Sequence, residues 1–390
     1  MTQRHPFDSD HFRHASERVA LNRREVLRSA GLVGTAAPLL GFQPLRAASL
    51  PRGQKVVVVT FGGGARDEET FAPDGQENIP HLMQTLLPQA TFYSRVVNHG
   101  ILGHYVATAS LATGVYETFD NFVATAPSHP TVFEYYRKAL RRPASDAWVV
   151  APSNGFNRIG ESDARGYGKG FGAGVILPKH LLAAAMPSQP SAAFQHLLRD
   201  NYEDPYYTPD LSGSQFELHQ LDSILKLSVS DFTRHALTLS SADELSVFIA
   251  RQLMRKLSPS LLWITLHDMD VAHSGAYSLY IEGIQRSDRL CAEIWQMIQS
   301  DPEYAGRTTM FILPDFGRDS DFDSGGNGFQ HHRTGDALSR TTWLMALGPR
   351  VRQGAMIDRP VQSVDLVPTL GALLGFATPL AQGRVLSEVL

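Results

Sequence analysis

The sequence predicts an α/β protein: a mostly parallel central sheet sandwiched by helices. Three observations predict it. Apolar runs such as VVVVTF (56–61) and LLWITL (261–266) show no polar alternation, as strands buried on both faces require. Segments with apolar residues at helical spacing separate these runs, and strand–helix alternation builds parallel sheets covered by helices. Several runs end in glycines, or in carboxylates and imidazoles, and ligands of such sheets gather beyond the carboxyl ends of the strands.

The elements follow in order. QKVVVVTFGGGAR (54–66) is a buried strand opening into a glycine loop. NIPHLMQTLLPQ (78–89) is a short helix, and ATFYSRVV (90–97) a second strand. HYVATASLATG (104–114) has small and apolar residues at helical spacing and a glycine stop. HPTVFEYYRKALRR (129–142) is amphipathic, with its basic residues at the end where the helix dipole favours them. DAWVVAPSN (146–154) is the next strand. GYGKGFGAG (166–174) has glycine at every second position, so it reads as a loop. Residues 155–240 as a whole read as an insertion or lid. SADELSVFIARQLMRKL (241–257) is a helix whose Ser241 and Glu244 suit a capping box. SLLWITLHD (260–268) is a strand, followed by a helix with Tyr280, Ile284, Cys291, Ile294 and Ile298 on one stripe. RTTMFILPDFG (307–317) and RTTWLMALGP (340–349) are further strands, and VDLVPTLGALLGF (364–376) is a closing helix.

The chain has 390 residues and an ordinary globular composition. Its net charge of −4 and lack of a basic stripe argue against nucleic acid as a partner. The one cysteine excludes an intramolecular disulfide, and its place on the apolar stripe assigns it to packing. Residues 1–47 read as an export leader. Arg23 and Arg24 resemble a twin-arginine signal, an uncharged stretch spans 29–45, and small residues precede a cut after Ala47. That stretch contains Pro38 and is shorter than the ~20 apolar residues a membrane span needs. The expectation is a periplasmic protein that meets the membrane only during export, with residues 48–390 as one domain.

The chemistry concentrates at the strand ends. The first offers Gly62, Gly63, Gly64 and Arg66; later ones offer Asp268, Asp270 and His273, then Asp315 and Arg318, then His331 and His332. Carboxylates and imidazoles converging from separate strands form a metal-site pattern, and zinc accepts both donor types. Asp270 and His273, three apart, suit one ion. Whether Asp268 or Asp270 ligates, and whether His331 or His332, stays open. Arg66 and Arg318 are candidates to hold an anionic oxygen, and the Gly62–Gly64 amides to form an anion nest.

The order of elements resembles the alkaline phosphatase superfamily, which includes phosphatases, sulfatases, phosphodiesterases and phosphomutases. PVQSVDLVPTLGALLGF (360–376) followed by AQGRVL (381–386) is similar to a sulfatase-type ending, and DPEYAGRTTMFILPDFGRD (301–319) to the stretch bearing a second metal-ligand pair. The likeness covers nearly all of 54–390 apart from 155–240. It implies two ions about 4 Å apart clamping a displacement at phosphorus or sulfur. One ion's ligands correspond to Asp270 (or Asp268), His273 and His331 or His332. The other ion's do not: Gly62 stands where an aspartate is expected and Phe316 where a histidine is, leaving Asp315. Counting back from Gly114, the nucleophile position is His104. The resemblance thus implies a one-ion hydrolase of small anionic phosphate or sulfate esters, with zinc as the ion and His104 as base or nucleophile. The alternative is a non-catalytic periplasmic protein that binds a ligand or protein partner, or a His104 that only fills the missing ion's space.

Overall fold

The computed structural model describes residues 53–123, 125–152, 156–168, 170–185, 189, 191–198 and 222–390. The expected leader, residues 1–47, lies outside them. Among the described residues no helix is long and apolar enough to cross a membrane.

Among the described residues nine strands form one sheet: β1 (Lys55–Phe61), β2 (Ala90–Val97), β3 (Ala147–Val150), β4 (Gly174–Ile176), β5 (Leu261–Leu266), β6 (Thr308–Pro314), β7 (Thr341–Leu347), β8 (Ala355–Ile357) and β9 (Val361–Gln362). Their order is β4-β3-β5-β1-β6-β7-β2-β8, with β9 also on β2. All pairings are parallel except those of β7, which runs against both β6 and β2. The helices are α1 (His104–Thr113), α2 (Val132–Leu140), α3 (Pro178–Ala184), α4 (Ala192–Leu198), α5 (Val229–Ala236), α6 (Ala242–Leu257), α7 (Tyr277–Ser300), α8 (Asp321–Ser324) and α9 (Leu366–Leu374). The elements expected from the apolar runs are thus present. NIPHLMQTLLPQ forms a π-helical turn at Leu82–Leu86 and a 3-10 turn rather than a regular helix.

Side chains alternate across a strand, so a strand buried on both sides must be apolar throughout. β1 shows this: Val57, Val59 and Phe61 enter the core beneath α6 and α7, and Val56 and Val58 enter the core beneath α2 and α9. Each buried Val or Phe contributes roughly 1.5–3 kcal/mol. Local signals agree with this packing. Thr131 and Glu134 form a reciprocal capping box on α2. Ser241 caps α6 by accepting from Glu244 N, but the Glu244 carboxylate bonds Ser240 N instead of its cap residue. Within the expected insertion, Gly174–Ile176 joins the sheet and α3 contributes to the core, so that part belongs to the scaffold.

Candidate metal centre

Three adjacent strands deliver the site. Phe61 of β1 is in register with Leu266 of β5 and with Pro314 of β6. Gly62, His267 and Asp315 therefore leave the sheet at one level. The glycines here serve close approach: a Cβ on Gly63 would lie 2.6 Å from Asp270 N and 2.7 Å from Met269 Cγ.

After β5 the chain forms a 3-10 helix, Asp268–Ser274, with His267 as its N-cap. Residues three apart eclipse on such a helix. His267, Asp270 and His273 consequently form a row, with His273 Nε2 3.3 Å from Asp270 Oδ1 and His267 Nε2 3.4 Å from Asp270 Oδ2. Asp268 lies off the row and pairs with Arg286 of α7 at 3.0 Å. Of the two candidate aspartates, the geometry selects Asp270.

The first residue of α1 reaches this row from across the sheet end. His104 Nδ1 is 2.7 Å from Asp315 Oδ2, and His104 Nε2 is 2.9 Å from Asp270 Oδ1. The second contact is an ion pair without hydrogen-bond direction, so Nε2 remains buried without a hydrogen-bond partner. Phe316 stacks on the ring at 4.6 Å and 22°. The Asn121 side chain caps α1 by accepting from Tyr105 N at 3.1 Å.

His332 completes the cluster. Its Nε2 lies 2.9 Å from His273 Nε2, and its ring packs against those of His104 and Phe316. His331 is exposed and contributes main-chain bonds to Gly328 and Asp319. Of the paired histidines, His332 is the one brought to the site.

The arginines are committed elsewhere. Arg318 is fully buried and bonds Asp270 Oδ1 at 2.9 Å, Phe329 O at 3.0 Å, Gly64 O at 3.4 Å and Gly63 O. Arg66 is held by Glu69, Asp321 and the Asp319 carbonyl. Neither guanidinium faces the histidine cluster as a free anion clamp. The nest expected at Gly62–Gly64 does not form either, because Gly62 N–H bonds Leu266 O and Gly64 N–H bonds Phe61 O. Two of its carbonyls instead face Arg318. Asp315 also differs from its expected place as a ligand: it holds the far side of the His104 ring.

Electrostatics separates the imidazoles. Burial alone would lower the His104 pKa, but Asp270 and Asp315 on either side raise it to about 9. Burial drives His332 down to about 2 and His267 to about 3, and lowers His273 against the pull of Asp270. Burial would raise Asp270, yet His104 and its neighbours hold it well below the usual carboxylate range; burial raises Asp315. Burial thus favours the neutral form of His273 and His332, the form that binds a metal ion.

The donors fit one ion. Ligand nitrogens of His104, His273 and His332 lie within 4.8 Å of one another, and Asp270 Oδ1 lies 2.9 Å from His104 Nε2 and 3.3 Å from His273 Nε2. Asp315 orients His104 as carboxylates commonly orient a metal-bound histidine through its other ring nitrogen. A second ion does not fit: Gly62 has no side-chain donor, Phe316 has no lone pair, and Asp315 is engaged by His104. Sequence reasoning left out His267. The signal was present as a histidine, aspartate and histidine at intervals of three, but using it required knowing that the segment winds as a 3-10 helix.

No protein-family model matches the sequence, and no curated protein does. Solved structures do match. The chain is similar to a phosphonate monoester hydrolase from Silicibacter pomeroyi at 14% identity and TM-score 0.52, covering 85% of this chain and 75% of that one. It is similar to the wild-type alkaline phosphatase PafA at 12% identity and TM-score 0.51, covering 88% and 100%. A protein in the alkaline phosphatase superfamily from Vibrio parahaemolyticus matches at 12% identity and TM-score 0.50, covering 94% and 77%. The chain has the alkaline-phosphatase-like fold.

Proposed function

We propose that this protein is an exported one-ion hydrolase of phosphate or sulfate esters, with zinc held by Asp270, His273, His332 and His104. The observation that carries the reading is the convergence of three imidazole nitrogens, those of His104, His273 and His332, two of which also lie against Asp270 Oδ1. When bound, the ion supplies Lewis acidity toward an ester oxygen and lowers the pKa of a coordinated water.

The chain's own residues set the conditions. Asp315 accepts from His104 Nδ1–H and keeps Nε2 aimed at Asp270. The protonated His104 carries positive charge between two carboxylates in the metal-free protein, and loss of its Nε2 proton frees a donor toward the cluster. Arg318 offsets the Asp270 charge without touching the substrate side. Phe316 covers the His104 and His332 rings on one side, while His273 and His332 are only half-buried.

Metal content of the folded protein tests the reading. About one equivalent is expected in the wild type, strongly reduced in His273→Ala and in His332→Ala and retained in His331→Ala. No metal in the wild type would overturn it. Aryl phosphate and aryl sulfate hydrolysis by the loaded protein then tests turnover. A second reading, a periplasmic binding protein without turnover, is favoured by one observation: His104, at the position the family resemblance gives to the nucleophile, has both ring nitrogens against carboxylates. A loaded protein inert toward both ester classes would support that reading.

A further inference from the structure

The 3-10 helix that carries the row has seven residues, and 3-10 geometry is weak in runs beyond three or four. Its first N–H groups have no partner within the helix. Something outside must satisfy them and fix the helix's rotation, because a small turn about its axis would carry Asp270 and His273 off the cluster. The structure supplies this from α6, more than twenty residues away in the chain. Asp243, in the first turn of α6, accepts from His267 N at 2.7 Å with one oxygen and from Asp268 N at 2.9 Å with the other. Its side chain is fully buried. Burying a carboxylate is costly, and here both oxygens are used on the main chain of one turn.

Two contacts from α7 complete the clamp. Arg286 holds the Asp268 carboxylate at 3.0 Å. Gly283 lets α7 approach the turn, since a Cβ there would lie 2.9 Å from Met269 Cα. All three grip residues 267–269; none is a donor of the cluster.

We propose that Asp243 is a positioning residue of the ion site: its carboxylate sets the rotation of the 3-10 helix, and so the placement of Asp270 and His273, without touching the ion. This rests on the one-ion reading above. It assigns a role in the site to a side chain on another helix.

The test is cobalt(II) titration of the full folded chain, followed by visible absorption, for the wild type and Asp243→Asn. Circular dichroism and thermal unfolding set a temperature at which both are folded. Asparagine keeps the shape and one acceptor but turns an NH2 toward the second N–H. The expected result is cobalt affinity lower by about 10- to 100-fold, as for other groups that orient ligands, with an altered absorption envelope. Unchanged affinity and an unchanged envelope would overturn the proposal. If Asp243→Asn does not fold, Arg286→Met is read instead, since it frees Asp268 from the partly exposed side of the clamp. A smaller loss with an altered envelope supports the clamp, and unchanged binding overturns it. A wild type that gives no cobalt signal removes the ion reading itself, a failure visible before any variant is compared.

Discussion

Replacing Arg318 by methionine tests how the site balances its charge. The guanidinium has no exposed surface and bonds Asp270 and three main-chain carbonyls, those of Gly63, Gly64 and Phe329. Methionine fills similar space but leaves Asp270 and the carbonyls without this donor. Removing one partner of a buried ion pair costs about 3–5 kcal/mol, because the charge left behind stays buried. Against a typical total of roughly 5–15 kcal/mol, that is a large share of the stability. A bound divalent ion would oppose the same Asp270 charge, and without Arg318 nearby it would feel less repulsion. The metal-free variant should therefore lose the full amount, and the zinc-saturated variant distinctly less. Urea unfolding of both proteins, with zinc and with a chelator, measures the two differences. A metal-free loss below about 1 kcal/mol, the scale of one ordinary hydrogen bond, would refute the reasoning. So would an equal loss with and without zinc.

Three further outcomes are expected. Gly63→Ala would drive a Cβ into the Asp270 main chain, so it should destabilise by about 1–3 kcal/mol, an overpacking cost, and weaken zinc binding; calorimetry and zinc titration check both. His104→Gln removes the imidazole nitrogen but keeps a polar side chain, and should lower zinc affinity by at least ~10-fold, read by competition with a chromogenic chelator. Just before β3, burial would raise the Asp146 pKa, but bonds from Arg142, Tyr136 and Ser260 hold it below the ordinary carboxylate value. A depressed folded pKa means the unfolded chain binds the proton more readily, so this stability is whole above about pH 4 and fades as the pH falls below it. Urea midpoints between neutral and acid pH should fall more steeply in the wild type than in Asp146→Asn.

The fold was legible because buried parallel strands have a distinctive composition. VVVVTF and LLWITL needed no partner to be recognised, and their register then followed from the sheet. The antiparallel course of β7 was not legible, because a buried strand's direction leaves no mark on its side chains. Within the site, the residue types were readable and their orientation was not. Asp268 and Asp270 are chemically identical, and only the threefold winding of their segment turns one toward the cluster and the other toward Arg286. Arg318 looked like an anion holder because Asp270 and the Gly63 and Gly64 carbonyls arrive from distant parts of the chain, as do Asp321 and the Asp319 carbonyl for Arg66, whose third partner, Glu69, is only three residues away. Asp243 went unremarked in a helix's first turn, because its bonds cross to the end of β5.

The cluster draws His104 from the start of α1, Asp270 and His273 from the turn after β5, and His332 from the segment before β7. None of these pieces holds three of the donors alone. A nascent chain released only through α7 would lack His332, Asp315 and Arg318, and its Asp270 would meet neither its counter-charge nor its last imidazole. Ion capture would thus come at the end of assembly, after the most sequence-distant contacts have closed, which are the slow ones. Zinc uptake would then report completed folding and distinguish the finished molecule from every shorter or half-formed version of itself.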